Sequence, residues 1–345
     1  HLARATNKPI LVLCYNKTLA ARLNEMLRDK GADERIVVRN FHGWCSDQLR
    51  TYHVSRPQGA PSSAFYESMV QAVIRGVDRG QIPSGQYGAV LIDEGHDFQA
   101  HWLKLVTQMV SAETNSLLVL YDDAQDIYGG KGRGFSFKSV GIQAQGRTTI
   151  LRLNYRNTAE VLRTAHRFAK DLFLGGERDD DGVQVLEPES ANRHGPEPLL
   201  VRLPSLSQEA EYITQRLIDL NEEGTPFREM AVVYRAPFVG ERIAEALARR
   251  GIPCHWLQKP AKASSPQGTE GVRFVTMHSS KGLEFPVVAI PSVGAISQDY
   301  NLENELRVTY VGMTRAMDRL LMTYNRTTPL TERLEAAVRP GASAA

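Results

Sequence analysis

Ala89-Val-Leu-Ile-Asp-Glu94 and Ser116-Leu-Leu-Val-Leu120, separated by an amphipathic stretch from about His101 to Val110, decide the fold class of this chain. Each contains a short, uninterrupted apolar run, Ala89–Ile92 and Leu117–Leu120, and such runs alternating with helical patterns predict an α/β fold of parallel strands covered on both faces. Working outward, Pro9-Ile-Leu-Val-Leu-Cys14 predicts a strand, Leu19 to Leu27 a helix, and Arg35-Ile-Val-Val38 a strand entering a loop at Asn40-Phe-His-Gly-Trp-Cys45. Residues 46–85 mix a helical pattern with the Pro-, Gly- and Ser-rich stretch Arg56 to Ser63, and read as a small insertion.

The second half repeats this order. Thr149-Ile-Leu-Arg-Leu153 opens it as a strand, Ala159 to Ala169 has helical spacing, and a long irregular link runs from Leu174 to Pro198. Strands are then predicted at Leu199–Val201, Met230–Tyr234, Val272–Val275 and Val287–Ile290, with helices over Gln208–Leu220, Gly240–Arg249 and Glu303–Thr314. The expected division is a first domain over 1–147, a second over 148–330 and a flexible tail over 331–345, where Ala, Arg, Pro and Ser accumulate.

At 345 residues, two domains of ordinary size each bury a core of their own. A hydrophobic fraction of 42% and a charged fraction of 23% are those of a folded, water-soluble chain. The net charge of +2 excludes a uniformly basic nucleic-acid coat but leaves room for a local basic groove. Cys14, Cys45 and Cys254 match neither a disulfide framework nor a zinc site, which points to the reducing cytoplasm. No run reaches the roughly 18 apolar residues of a membrane span.

An Asp at the carboxyl end of a buried parallel strand stands where α/β sheets place ligand groups, and Asp93 there can hold Mg²⁺ through its water shell. The adjacent Glu94 can take a proton from an attacking water. In Leu120-Tyr-Asp-Asp-Ala-Gln-Asp-Ile-Tyr-Gly129, Gln125 can hydrogen-bond a phosphate oxygen or that water, and beyond Leu151-Arg-Leu153 the pair Tyr155-Arg156 can stack on a base and clamp phosphate. Val275-Thr-Met-His-Ser-Ser-Lys-Gly-Leu-Glu-Phe285 has the hydroxyl, His and Lys composition that grips a phosphodiester backbone. Arg315 follows Arg307 and Tyr310 on the last predicted helix. Taken singly, each has a plainer account as a strand entering a loop, a solvated turn or an exposed surface Arg.

In this order, however, the segments resemble the superfamily 1 DNA helicases of the UvrD/Rep type over about residues 9–325. Leu13-Cys-Tyr-Asn-Lys17 and Asn40-Phe-His-Gly-Trp44 look like the family's first two DNA-contacting motifs, which implies single-stranded DNA contacts from Tyr15, Asn16, Lys17, Phe41 and His42. Ile92-Asp-Glu-Gly-His-Asp-Phe98 matches motif II, implying Asp93 for Mg²⁺ and Glu94 as catalytic base. Asp122-Asp-Ala-Gln-Asp-Ile-Tyr128 matches motif III, implying that Gln125 senses the γ-phosphate; Asn154-Tyr-Arg156 matches motif IV, implying Tyr155 against adenine and Arg156 as an arginine finger. Thr276 to Phe285 is similar to motif V, which implies DNA contact through Thr276 and His278 and nucleotide contact through Gly282 and Glu284. Glu305 to Ala316 matches motif VI, with Arg315 as the second γ-phosphate arginine.

The resemblance implies two RecA-like domains with parallel sheets flanked by helices, reduced accessory insertions, and ATP with Mg²⁺ hydrolysed between the domains. It implies an ATP-dependent single-stranded DNA translocase or 3′-to-5′ helicase acting on single-stranded DNA or on DNA with a single-stranded tail. Two departures stand out. His96 replaces the usual Gln of motif II, and no Gly-x-x-x-x-Gly-Lys-[Ser/Thr] phosphate loop occurs in these residues. His1-Leu-Ala-Arg-Ala5 reads as the tail of a helix, so the expectation is a fragment that hydrolyses ATP poorly alone. The alternative is a non-hydrolysing DNA-binding or regulatory module with a helicase-like fold.

Overall fold

A computed structural model describes residues 6–32, 34–121, 135–149, 153–173, 189–190, 192–257, 270–295 and 301–339. Contacts divide them into two compact units, one reaching Thr148 and the other starting at Thr149. No described helix is long and apolar enough to cross a membrane.

The first unit runs β1 (Ile10–Cys14), α1 (Lys17–Asp29), β2 (Ile36–Asn40), α2 (Phe41–Thr51), α3 (Ser63–Asp78), β3 (Ala89–Ile92), α4 (Ala100–Gln108) and β4 (Leu117–Val119). Its four strands are parallel in the order β2-β1-β3-β4. Alternate residues of β1 serve opposite layers. Leu11 and Leu13 join Phe41, Trp44, Met69, Val73 and Leu103 in the main core, whereas Cys14 packs with Leu19, Ala20 and Val38 beneath α1. Burial of both faces is why β1 reads as one continuous apolar run.

Two expectations need correction here. Phe41 to Cys45 forms the first turn of a helix with Asn40 as N-cap, not a loop. Nor are residues 46–85 an appended insertion. Trp44, Cys45 and Leu49 of α2 and Met69, Val70 and Val73 of α3 are buried in the unit's main core, so both helices belong to one layer of the sheet. Only the stretch between them is loop-like, and Ser62 ends it by accepting a hydrogen bond from the Phe65 N–H at 3.2 Å.

The second unit contains β5 (Leu153–Asn154), α5 (Ala159–Phe168), α6 (Lys170–Phe173), β6 (Glu189–Ser190), β7 (Leu199–Arg202), α7 (Leu206–Glu222), β8 (Met230–Tyr234) and α8 (Pro237–Arg249). It continues with β9 (Cys254–Trp256), β10 (Val272–Thr276), β11 (Phe285–Ile290), α9 (Leu302–Met313), β12 (Ala316–Tyr324) and α10 (Pro329–Val338). Six strands form a wholly parallel sheet in the order β7-β12-β11-β8-β10-β9. On one face α7 and α8 bury Ile213, Leu217, Ile243 and Leu247 against Val232, Phe274 and Ala289. On the other lies α9, so close that a Cβ on Gly312 would stand 3.5 Å from both Ile290 and Met277.

Thr331 to Val338 is helical rather than a flexible tail, which corrects the expectation for that part of the C-terminus. Thr328 and Thr331 form a reciprocal capping box, Pro329 stands in the first turn, and Leu330, Leu334 and Ala337 are buried. The capped start and apolar stripe outweigh a composition that reads as frayed. Residues 340–345 lie outside the described residues.

One buried polar group ties this unit together. Glu209 of α7 has no exposed surface, and its carboxyl group accepts from Ser292 N–H and Oγ–H at 2.8 Å each, from the Thr323 hydroxyl and from the Asn325 amide. Glu209→Ala strands these donors inside the protein and is expected to destabilise the unit by about 3 kcal/mol. Denaturant unfolding measures this, and a loss below about 1 kcal/mol would mean that water or a neighbour takes over the donors.

Candidate functional site

In the first unit, three parallel strands deliver their candidate residues to one edge. Cys14 pairs with Asn40, Leu13 pairs with Ile92, and the Asp93 N–H donates to the Leu13 carbonyl at 2.8 Å. Tyr15-Asn16-Lys17, Phe41-His42 and Asp93-Glu94 therefore leave the carboxyl ends of adjacent strands, the usual place for ligand groups in an open parallel sheet.

Glu94 adopts the left-handed conformation (φ 54°, ψ 45°), which is costly for a residue with a Cβ. Its N–H donates to Asp93 Oδ1 at 3.0 Å, and its Oε2 lies 3.2 Å from His96 Nε2. Gly95 allows this tight turn, because a Cβ there would come within 2.6 Å of Val119 and 3.1 Å of the Leu120 carbonyl. The His96 ring, fully enclosed, meets Tyr121 edge-on at 5.6 Å. Two residues past Glu94, this chain thus places an imidazole against its carboxylate. Among the described residues no cluster of three or more His, Cys, Asp or Glu could hold a metal ion. A cation at Asp93 would draw its other ligands from water and phosphate, as Mg²⁺ does.

Beside the acids lies an aromatic patch. Tyr15 stacks on Trp102 at 6.1 Å and meets His42 edge-on at 5.9 Å, while His42 lies 4.8 Å from the Tyr66 ring. Burial lowers the His42 pKa below the ordinary imidazole value and raises that of Tyr15. Phe41 is different: it has no exposed surface and packs on Trp102 at 4.8 Å, so it backs His42 from the core and offers no face to a DNA strand. That corrects the expectation for Phe41. Lys17, exposed, opens α1. Gln125 lies outside the described residues.

In the second unit the candidates separate to opposite edges of one sheet. At the carboxyl edge, the Met277 N–H donates to the Tyr234 carbonyl at 2.9 Å, bringing Thr276 and His278 beside Arg235. The Arg235 guanidinium makes a two-pronged ion pair with the buried Glu305, at 2.7 and 3.0 Å. The His278 pKa is lowered by burial and by the Arg235 charge, against the opposing pull of Glu305. Thr276 Oγ1 accepts from the Ser279 N–H at 3.3 Å, starting the turn.

The amino edge gathers the other set. Phe285 pairs with Ala316, and its N–H donates to the Arg315 carbonyl at 3.0 Å. Arg315 lies beyond the end of α9, in the turn before β12 and not on the helix as expected. Only 1% exposed, it donates from Nε to the Val311 carbonyl at 3.0 Å, from Nη1 to the Leu283 carbonyl at 3.2 Å and from Nη2 to Thr314 Oγ1 at 3.2 Å. Arg156 Nε pairs with Glu284 Oε2 at 2.9 Å, and Tyr155 stands 70% exposed beside it. Gly282, at φ 77°, makes the turn that precedes Glu284. The eight residues Met277–Glu284 thus run from one edge of the sheet to the other, a span of roughly 20 Å for a six-residue strand.

The sequence model of the UvrD-like helicase C-terminal domain matches residues 149–261 and 256–327, together more than half of the chain. The chain belongs to the UvrD-like helicase family. It is similar to the ATP-dependent DNA helicase PcrA of Staphylococcus epidermidis, 46% identical over 263 residues, or 67% of this chain and 35% of that protein. DNA helicase II of Haemophilus influenzae is 27% identical over 176 residues, covering 48% of this chain and 22% of that protein. DNA helicase II of Escherichia coli is 44% identical over 66 residues, 17% of this chain and 9% of that protein. The chain spans about a third or less of the length of these relatives.

Residues beside these candidates that no sequence motif singles out are Arg235, Glu305, Asn157 and Arg193. Arg235 carried a signal, a charged residue at the end of a buried strand; the other three are placed by contacts distant in sequence. Glu160 is a further case. It accepts from His194 Nδ1 at 3.0 Å and from the Gly195 N–H at 2.8 Å, and these bonds hold its pKa down to about 2. The pair fastens the segment that carries Arg193 to the start of α5.

Proposed function

We propose that the chain is part of an ATP-dependent motor that moves along single-stranded DNA, a translocase or 3′-to-5′ helicase. The observation that carries this reading is the segregation of the two candidate sets on one sheet. Residues with nucleotide chemistry stand at its amino edge, residues with phosphodiester chemistry at its carboxyl edge, and Met277–Glu284 joins them, so a shift at one end is passed to the other by a single short segment.

In this reading Asp93 would hold Mg²⁺, which would supply neutralisation of phosphate charge. Glu94 accepts the proton of the attacking water, with His96 holding its carboxylate in place. Arg156 and Arg315 stabilise the charge that develops on the transferred phosphoryl group, Gln125 senses it, and Tyr155, Gly282 and Glu284 contact the nucleoside. Arg156 leaves Glu284 for phosphate as the nucleotide enters, exchanging one carboxylate partner for another anion. Tyr15 and His42 offer aromatic surface to bases, backed by the buried Trp102, with Asn16, Lys17, Thr276 and His278 along the backbone. No membrane partner enters this reading, and the compartment it fits is the cytoplasm.

The test is ATP hydrolysis by the full-length protein with and without single-stranded DNA, with RNA of equal length as a second arm. Stimulation at least tenfold greater by DNA is expected, and unwinding of 3′-tailed but not 5′-tailed duplexes. A full-length protein that binds single-stranded DNA yet hydrolyses no ATP overturns the motor and leaves the non-hydrolysing module.

A further inference from the structure

We propose that Asn157 is a positioning residue for nucleotide hydrolysis, locking the turn that carries Arg156 to the turn that carries Arg315; this rests on the reading of both arginines as γ-phosphate ligands. The Asn157 side chain is 1% exposed, and its amide donates to two carbonyls, Thr314 at 2.9 Å and Ala316 at 2.6 Å. Those carbonyls flank Arg315 on either side. The Asn157 carboxamide oxygen in turn accepts from Asn154 Nδ2 at 2.8 Å, and Asn154 Oδ1 accepts from the backbone N–H groups of Arg156 at 2.8 Å and Asn157 at 3.0 Å.

The connection closes on itself. Arg156 pairs with Glu284, the neighbouring Leu283 carbonyl accepts from Arg315, and the Phe285 N–H donates to the Arg315 carbonyl. Hydrogen bonds and the Arg156–Glu284 ion pair join residues 154–157, 283–285 and 314–316 into a ring, in which the Asn157 amide links the two arginine-bearing turns directly. A second clamp acts on the same turn: Arg193 Nη1 donates to the Arg156 carbonyl at 2.7 Å while its Nη2 pairs with Asp318 of β12. Two catalytic charges aimed at one phosphoryl group must keep their separation within tenths of an ångström, and a misplacement of about 1 Å costs about 10²-fold in rate. Only a side chain with two N–H donors at this reach satisfies both carbonyls. Asp has none to give, and Ser has one on a shorter stem.

The test is DNA-stimulated ATP turnover of the full-length protein carrying Asn157→Ala, normalised to the folded fraction and read below the variant's own Tm. A fall in kcat of about 10- to 100-fold is expected, with KM for ATP within about threefold. In an Arg156→Ala/Arg315→Ala background the same substitution should change kcat by less than about twofold, because coupled residues are not additive. Asn157→Ser keeps one donor, should fold if the Ala variant does not, and is expected to give an intermediate kcat. An unchanged kcat per folded molecule, or an effect undiminished without the arginines, overturns the positioning role. If Arg156→Ala and Arg315→Ala themselves leave turnover intact, the reading of the nucleotide site falls and the positioning role falls with it.

Discussion

Glu94→Gln in the full-length protein is expected to lower DNA-stimulated ATP turnover by about 10²- to 10⁴-fold, the usual share of a positioned general base, while nucleotide affinity stays within about threefold. The substitution changes little else. Gln fills the same volume, keeps an oxygen for the contact with His96, and faces the same backbone cost at φ 54° as Glu does. Loss of proton acceptance is therefore the principal change. Steady-state hydrolysis beside equilibrium binding of a fluorescent ATP analogue separates the two effects, and unimpaired turnover would remove Glu94 from the base role.

Arg315→Ala combines a catalytic loss with a structural one. An arginine supplying charge to a transferred phosphoryl group is worth about 10³- to 10⁵-fold in turnover, and a loss in that range is expected. The guanidinium is also buried, and its removal leaves the Leu283 carbonyl without this donor, at about 1–3 kcal/mol, whereas the Val311 carbonyl keeps the Thr314 hydroxyl at 3.1 Å. A lowered Tm should accompany the lost activity. Arg315→Lys tells the two apart, since an ammonium restores a charge and some donor capacity but not the planar fork. It is expected to recover part of the stability and little of the turnover. Hydrolysis at the original rate by a folded Ala variant would end the assignment of Arg315 to phosphate.

The parallel α/β class was legible because strands buried on both faces leave continuous apolar runs, as at Ile10–Cys14 and Ala89–Ile92. Alternate residues enter two different core layers, so no position in the run is polar. The elements that escaped have the opposite property. Helix α2 opens with Phe41-His-Gly-Trp44, which lacks a helical signature until Phe41, Trp44, Cys45 and Leu49 are seen buried together. Strand β12 starts Ala316-Met-Asp-Arg319 and looks like a helix end, yet pairing with β11 on one side and β7 on the other makes it an interior strand. Helix α10 hides in an Ala- and Arg-rich stretch and is held by its cap and three buried side chains.

The candidate site divides along the same line. Asp93, Glu94 and Arg156 could be singled out because each follows an apolar strand and has a side chain suited to phosphate or metal chemistry, whereas Glu284 came only with the resemblance to the family. Which of them meet could not be read, because meeting depends on register. The pairing of Phe285 with Ala316 and of Tyr234 with Thr276 puts Arg315 and Thr276 at opposite edges of one sheet, though motif order gives no hint of it. By itself the sequence determined the parallel sheets and the kinds of side chain that reach their edges, since these follow from local apolar runs and residue chemistry, while the order of its motifs carried the resemblance to the family. The tertiary structure alone decided that Phe41 is core, that Arg315 is held rather than exposed, and that Asn157 joins two turns. Burial and hydrogen bonding between distant segments are properties of the packed chain and leave no local mark.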